Sequence, residues 1–415
     1  MALPAVKVTI NFSTGASFGQ AFIIGTGILG QDVLADSAAV IVDVSSQVQN
    51  ISTTRGRNIL TEQFQTGTAT VVLADEAGAF NPQNTSSPYY GLLLPLRKVQ
   101  IAATDPTTGV TTNIFSGYIT AYDYRQSQFV GEVSTTTLTA LDATQLLTLA
   151  TVSTVTGAVA GETTGVRFGR ILDQVGWPSG LRDVDTGLTT VQANPTNART
   201  ATSALAQLAL TEFGAFYVDV DGAVVFQDRL LTSTSVAGTP TAFVDSGAGI
   251  RYYNAEFKLD DSQIFNQANV TAGAISATYK DQTSVDTYFL HTYDATNLLM
   301  DTATNADDWA RAMVASRKDT SIRCDSITLN LNTPDYAAGV TAALTLDYFD
   351  PITVTQTQPG SSSITKTLQV FGVAHSINYL NGSWFTRFTT AEPIIESFII
   401  GNSQYGVLGQ NVLSY

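Results

Sequence analysis

A segment near the start of the 415-residue chain is written again near its end. Phe22-Ile23-Ile24-Gly25, then Gly27-Ile28-Leu29-Gly30-Gln31-Asp32-Val33-Leu34, returns as Phe398-Ile399-Ile400-Gly401, then Gly406-Val407-Leu408-Gly409-Gln410-Asn411-Val412-Leu413. The first copy, Gly25-Thr26-Gly27-Ile28-Leu29-Gly30, has the glycine spacing of a dinucleotide-binding turn, and Asp43 in Ile41-Val42-Asp43-Val44 stands where a ribose-binding acid would. Such a site needs its glycines to join a strand to a helix inside a βαβ unit. The second copy stretches the glycine spacing and leaves only Ser414 and Tyr415 after Leu413, too little chain for that unit. The repeat is therefore expected to be a structural element used twice, without a cofactor. Its apolar positions, Phe22, Ile23, Ile24, Leu29, Val33 and Leu34 in one copy and Phe398, Ile399, Ile400, Leu408, Val412 and Leu413 in the other, read as assembly arms. They would pair with each other or with a neighbouring subunit. A nucleotide-dependent oxidoreductase is the competing reading of the same glycines.

Charged residues make up 13% of the chain, about half the usual share. Threonine, serine and amides carry the surface polarity instead, and the abundance of Thr, Val and Ile favours half-buried pleated strands. The net charge is −15 and no lysine or arginine cluster occurs. Affinity for a phosphate backbone comes from basic side chains that displace counterions, so tight nucleic-acid binding is disfavoured. The single cysteine, Cys324, excludes an internal disulfide framework and a cysteine-based zinc cluster, and is expected to be a small buried hydrophobe. Met1 to Thr9 lacks a cationic stretch followed by an apolar one, and no apolar run has the roughly twenty residues of a membrane span. The expectation is a chain that folds in the cytoplasm, with no membrane insertion.

Val6, Val8, Ile10 and Phe12 alternate with Lys7, Thr9 and Asn11, the period-two signature of a strand with one buried face. Further strand runs are expected at Val48–Thr53, Gly67–Leu73, Arg97–Ala103, Ile114–Ile119 and Glu132–Ala140. Between them, Gly78 to Gly91 carries two prolines and several Asx residues and reads as an irregular surface loop. The middle of the chain turns helical. Helices are expected at about Gly165–Val175, at about Thr200–Phe213 with Gly214 as C-cap, and at about Asn305–Ser316 with Asp307 and Asp308 in the first turn. Asp221-Gly222 between two apolar runs signals a tight hairpin. From Ser326 strands return at Ser326–Leu331, Leu344–Asp350, Ile352–Gln356, Thr365–Val373 and Ser383–Thr390.

No arrangement of residues rises to a catalytic or metal site. A hydrolytic triad needs a histidine near a nucleophile, and only His291 and His375 exist. His375 falls within an alternating strand, where a hydrogen-bonded structural imidazole is expected. Asp219 and Asp221 have a turn role, and Asp260 and Asp261 sit in a polar loop. Trp177, Trp309 and Trp384 fall at a helix end, on a helix face and in a strand, which points to core packing rather than to a shared sugar-stacking platform.

A succession of short motifs resembles the minor tail proteins of long-tailed bacteriophages, particularly those of actinobacterial hosts. The matching residues are Asp43-Val44-Ser45, Arg55-Gly56-Arg57, Gly67-Thr68-Ala69, Phe80-Asn81-Pro82, Phe115-Ser116-Gly117 and Ala140-Leu141-Asp142-Ala143. They continue with Arg170-Ile171-Leu172, Gly176-Trp177-Pro178, Phe226-Gln227-Asp228-Arg229, Asp350 before Ile352-Thr353-Val354, and Val373-Ala374-His375-Ser376-Ile377 before Trp384-Phe385-Thr386. The resemblance implies a siphophage tail-tip or baseplate hub, a structural protein and not an enzyme. It also implies a homotrimer whose two tube-forming β-barrels per chain adapt a sixfold tail tube to a threefold tip. The partners it implies are a distal tail or tail-tube protein, the tape measure protein and other minor tail proteins, with phage DNA passing through the channel without specific binding. A distal tail or receptor-contact protein is the alternative within the same class.

The expected fold class is mainly β with an α/β middle. Its divisions are an N-terminal strand and arm over 1–34, a first β-barrel over 35–149 and an α+β domain over 150–243. A connecting α+β segment over 244–325, a second β-barrel over 326–393 and a C-terminal arm over 394–415 complete it.

Overall fold

The computed structural model describes residues 3–12, 40–58, 63–127, 132–230, 238–332, 337–360 and 362–392. The first part of the chain supplies β1 (Ala5–Asn11), β2 (Ile41–Asp43), β3 (Val48–Asn58), β4 (Gln63–Ala74), β5 (Arg97–Thr104), β6 (Thr111–Arg125) and β7 (Thr135–Leu141). The middle follows as α1 (Thr144–Leu149), β8 (Thr151–Val152), α2 (Thr164–Gln174), β9 (Arg182–Val184), β10 (Arg199–Thr200), α3 (Ala201–Glu212), β11 (Ala215–Val218) and β12 (Val224–Gln227). Next come β13 (Thr241–Val244), β14 (Ile250–Arg251), β15 (Asn254–Lys258), β16 (Gln267–Ala272), β17 (Ile275–Lys280), α4 (Gln282–Tyr288), β18 (Thr292–Ala295) and α5 (Ala303–Arg317). The last part holds β19 (Arg323–Asn330), α6 (Ala337–Thr345), β20 (Pro351–Gln356), β21 (Ile364–Asn378) and β22 (Ser383–Ala391).

The two β-rich ends of the chain do not form separate sheets. They join in one 14-stranded sheet, whose ladder runs β14-β13-β20-β21-β3-β4-β7-β6-β5-β1-β2, with β22, β19 and β15 added on the other edge of β21. Alternation is the reason these segments pair as they do. Val8, Ile10 and Phe12 of the first segment are fully buried, as are Trp384 and Phe388 of the last strand, and all belong to one apolar core. Long strands turn the sheet's corners. In β6, Thr111–Ile119 pairs with β5 while Tyr118–Arg125 pairs with β7, and the ladder shifts register after Ile119. In β21, Ile364–Gln369 pairs with β20 and Gly372–Asn378 with β3. Such register breaks let one strand serve two directions of curvature.

Among the described residues the ladder does not close into a ring. Between β1 and β3 the turn over 44–47 bridges the gap, with the Val8 N–H donating to Ser45 Oγ at 2.9 Å and the Val44 N–H to the Val8 carbonyl at 2.9 Å. Mainly β with an α/β middle thus describes the chain, and in place of the two separate barrels expected from the resemblance the described strands of both ends share one sheet, with two wings that meet at β3 and β21.

The seam between the wings is the antiparallel pairing of β3 with β21, where Gly56 faces Gly372. Both strands shift register at their glycine. A Cβ on Gly56 would lie 3.1 Å from Gly372 Cα, and one on Gly372 would lie 3.1 Å from the Arg55 carbonyl. Glycine is needed here because the backbones themselves are the packing surface.

Two smaller units flank the sheet. Helices α2 and α3 pack with β11 and β12 around Phe168, Leu172, Leu205, Leu208 and Phe226. The sheet β17-β16-β18 packs against α5 around Val270, Met300, Trp309 and Met313.

Several boundaries differ from the sequence reading. Leu344–Asp350, expected as a strand, is the end of α6 followed by a loop, because the run from Ala337 is rich in alanine and winds as a helix. Helix α5 starts at Ala303 with the Thr302 side chain accepting from the Asn305 N–H, so Asp307 and Asp308 lie beyond its first turn. Phe213, not Gly214, takes the left-handed position that ends α3, at φ 62°. Gly214 has another duty, since a Cβ there would sit 2.2 Å from the Gln227 carbonyl. The loop over 78–91 is irregular, yet it is no mere surface feature, because Phe80 is fully buried in the main core.

Candidate functional site

Both apolar arms, Phe22, Ile23, Ile24, Leu29, Val33 and Leu34 with Phe398, Ile399, Ile400, Leu408, Val412 and Leu413, lie outside the described residues, as does the Gly25–Gly30 pattern. The motifs behind the phage-tail resemblance are described, and several converge beside the seam.

Arg55 is their centre. Its position on β3 buries all but 5% of the residue, and burial works against its charge. Tyr348 and Asp347 oppose that effect, and the net result holds Arg55 above the usual arginine range. The guanidinium Nη1 meets Asp347 Oδ1 at 3.2 Å, Nη2 donates to the Val218 carbonyl at 3.2 Å, and the group lies 4.7 Å from the Tyr348 ring centroid. One side chain therefore ties β3 to the loop before β20 and to β11 of the middle unit. Such planar, multi-donor contact is what arginine supplies and lysine does not.

Aromatic rings complete the junction. The Phe64 centroid lies 4.6 Å from that of Tyr348 and 5.1 Å from that of Tyr217, and Tyr217 meets Tyr348 edge-on at 5.0 Å. The Arg57 guanidinium stands 5.2 Å from the Phe371 ring. Next to it, Asp142 Oδ2 accepts the Gly67 N–H at 2.5 Å and Asp142 Oδ1 accepts the Thr144 N–H at 2.9 Å. Burial raises the Asp142 pKa despite those hydrogen bonds and the nearby Arg55 charge. A Cβ on Gly67 would fall 2.8 Å from Asp142 Oδ2 and 3.1 Å from Arg55 Cγ. The Arg-Gly-Arg, Gly-Thr-Ala and Ala-Leu-Asp-Ala motifs are thus parts of one packed joint. Its arrangement fixes how the middle unit sits on the sheet.

The other singled-out residues have local duties. His375 is 4% exposed and its pKa is lowered to about 3, first by burial and then by the Arg55 charge. The Trp384 Nε1–H donates to His375 Nδ1 at 3.3 Å, which fixes that nitrogen as an acceptor and the imidazole as neutral. Asp219 Oδ1 accepts the Asp221 and Ala223 N–H groups at 2.9 and 2.7 Å, the turn role expected of it. Asp260 is held by Arg323 Nη2 at 2.7 Å and Lys258 Nζ at 2.5 Å. His291 Nε2 meets the Tyr288 carbonyl at 3.0 Å. Burial pushes the Cys324 thiol up to about 11. Trp177, Trp309 and Trp384 are all buried, so none offers a stacking face. Among the described residues no group of three His, Cys, Asp or Glu side chains is placed to hold a metal, and no helix is long and apolar enough to cross a membrane.

Sequence reasoning found Arg55, Gly67 and Asp142 through the motifs, and missed Phe64, Tyr217, Asp347 and Tyr348. The four are spread along the chain, and Arg55 is 292 residues from Asp347.

No protein-family model and no curated protein matches the sequence. The chain is similar in structure to a tail protein from Neisseria meningitidis MC58, at TM-score 0.57 and 12% identity over 94% of this chain and 98% of that one. It is similar also to the 43 kDa tail protein of prophage MuSo2 from Shewanella oneidensis, at TM-score 0.56 and 14% identity over 94% and 99%. At such identity the likeness is one of fold. The chain has the fold of these two tail proteins along almost its whole length.

Proposed function

We propose that this chain is a structural virion protein of a phage tail, acting as the homotrimeric hub at the tail tip of a siphophage. The observation that carries this reading is the fold shared with two tail proteins over 94% of the chain. The form of the sheet agrees with it. Two wings of the sheet meet at one seam, so three copies would present six wings to a sixfold tube. Strands β2, β14 and β15 each pair on one edge only among the described residues. Open edges are a hazard unless another chain covers them, and a ring of subunits does that. A surface with few lysines and a net charge of −15 suits a channel that DNA crosses without sticking. The distal tail or tail-tube protein, the tape measure protein and other minor tail proteins are the proposed neighbours, and the two apolar arms are proposed to reach them.

Light scattering of the purified chain tests the reading. A hub gives a mass three times the 44.0 kDa of one chain, whereas a distal tail protein gives a sixfold ring. Antibody labelling of intact particles places a hub at the tip, and label along the tail or on the capsid removes it.

A further inference from the structure

Helix α3 faces the unit built from β16, β17, β18 and α5 across a cleft of about 830 Å³, within the roughly 300–1,000 Å³ of ligand sites. Its walls are fixed to each other. Gln192 Nε2 donates to the Ala272 and Met300 carbonyls, both at 2.8 Å, the Leu299 N–H donates to Thr211 Oγ1 at 3.1 Å, and Trp309 Nε1 donates to the Leu210 carbonyl at 2.9 Å. The cleft is therefore formed before anything enters it, and little ordering is left for binding to cost.

No Asp or Glu lines this space, although the chain carries 35 of them, and its one lining cation is Arg199. Among the described residues Arg199 has no carboxylate partner, since Glu162 is shared by Arg167 and Arg170. Arg199 Nη1 donates to the Pro195 carbonyl at 3.0 Å and Nη2 to Asn194 Oδ1 at 3.1 Å, while Nε is buried with no acceptor. Burial, and then the charge of Arg167, lower its pKa. An entering anion would offset both effects.

Around Arg199 the cleft is lined by amides and hydroxyls. The Asn197 and Asn297 side chains and the Ser203 hydroxyl have no hydrogen-bond partner among the described residues. Gln192 and Gln207 commit their amide nitrogens to carbonyls, which leaves each side-chain oxygen to accept. Side-chain amides offer a donor and an acceptor together, the pair that each unit of an extended main chain also presents. No aromatic side chain lines the cleft, so a sugar ring has no face to stack on. One cation is too few to neutralise a run of phosphates.

We infer that this cleft binds an extended acidic peptide segment of another protein, with its main chain hydrogen-bonded to Asn197, Asn297, Gln192 and Gln207 and one carboxylate paired with Arg199. The inference stands on the cleft itself and goes beyond the hub reading, because it names a class of partner rather than a position in the tail.

The test screens the full-length chain against random hexapeptides with blocked ends, so that side chains supply the only carboxylates. Bound peptides are expected to be enriched in Asp or Glu, and to bind Arg199→Gln about tenfold or more weakly, the loss of one charge-assisted pair. Ser203→Glu is the second variant. Ser203 is exposed in the first turn of α3, where an acid suits the helix dipole, so thermal unfolding should hold while the new carboxylate weakens acidic peptides by about tenfold. Recovery of no binder, absence of an acidic preference, or unchanged binding to both variants overturns the inference. Oligogalacturonate is the competing probe. Binding it in preference to the peptides, with the same dependence on Arg199, would assign the cleft to an acidic glycan and overturn the peptide. None of these outcomes bears on the place of the protein in the particle, and a label away from the tail tip would leave the cleft as argued.

Discussion

The seam of the sheet and the turn at Phe289 treat the same backbone problem in opposite ways. At the seam, Gly56 and Gly372 are placed where two strands approach too closely for side chains, and the surrounding core is continuous. At the turn, a glycine-like conformation is filled by phenylalanine, and the ring is left in solvent. Glycine at the seam serves packing inside the chain. At the turn the strained backbone is held from within the chain, by the Asn266 side chain on the Phe289 carbonyl and the His291 N–H, because a strained backbone persists where surrounding structure requires it.

Removing the centre of the junction should have the largest effect. Arg55→Ala is expected to cost about 3 kcal/mol in urea unfolding, near the lower end for breaking a buried pair because Asp347 is 33% exposed and can regain water. Arg55→Met, which keeps the bulk, should cost distinctly less, and equal losses would mean that packing rather than charge holds the joint.

Gly372→Ala is expected to cost about 1–3 kcal/mol, because its Cβ meets the Arg55 carbonyl and Thr389 Cβ, each at 3.1 Å. A neutral result would show that the seam can open by a few tenths of an ångström without loss.

The wing around His375 should respond to acid. Its folded pKa lies below the ordinary histidine value, so below about pH 6.5 the unfolded chain binds a proton that the folded chain refuses. This contribution to stability is complete above that value and falls by at most about 1.4 kcal/mol per pH unit down to about pH 3. His375→Gln should flatten the slope over that window, and an unchanged slope would assign it to the carboxylates.

The smallest effect is expected at the turn, and with the opposite sign. Phe289→Gly should raise stability by roughly 1 kcal/mol, the relief of strain exceeding the entropy of glycine. A loss would mean that the exposed ring stabilises its own chain.

How much of this was legible depends on the distance over which each feature is determined. The alternation of Val6 to Phe12, the Asp221-Gly222 hairpin and the α2 and α3 helices are set by neighbours in sequence, and they read correctly within a few residues. Helix α6 did not, since Val340, Leu344 and Leu346 among alanines satisfy strand and helix patterns alike. The Arg55 junction joins residues from β3, β4, β11 and the loop before β20, so its motifs could be noticed singly but not assembled. Phe289 carried no signal at all, because no residue type near it announces a left-handed phenylalanine. The buried Asn266 that holds it is 23 residues away.

The mass of the purified full-length chain in solution tests the central claim most directly. The account predicts a species of three copies that dissociates on dilution. A solitary 44.0 kDa monomer at the highest concentration reached would contradict it.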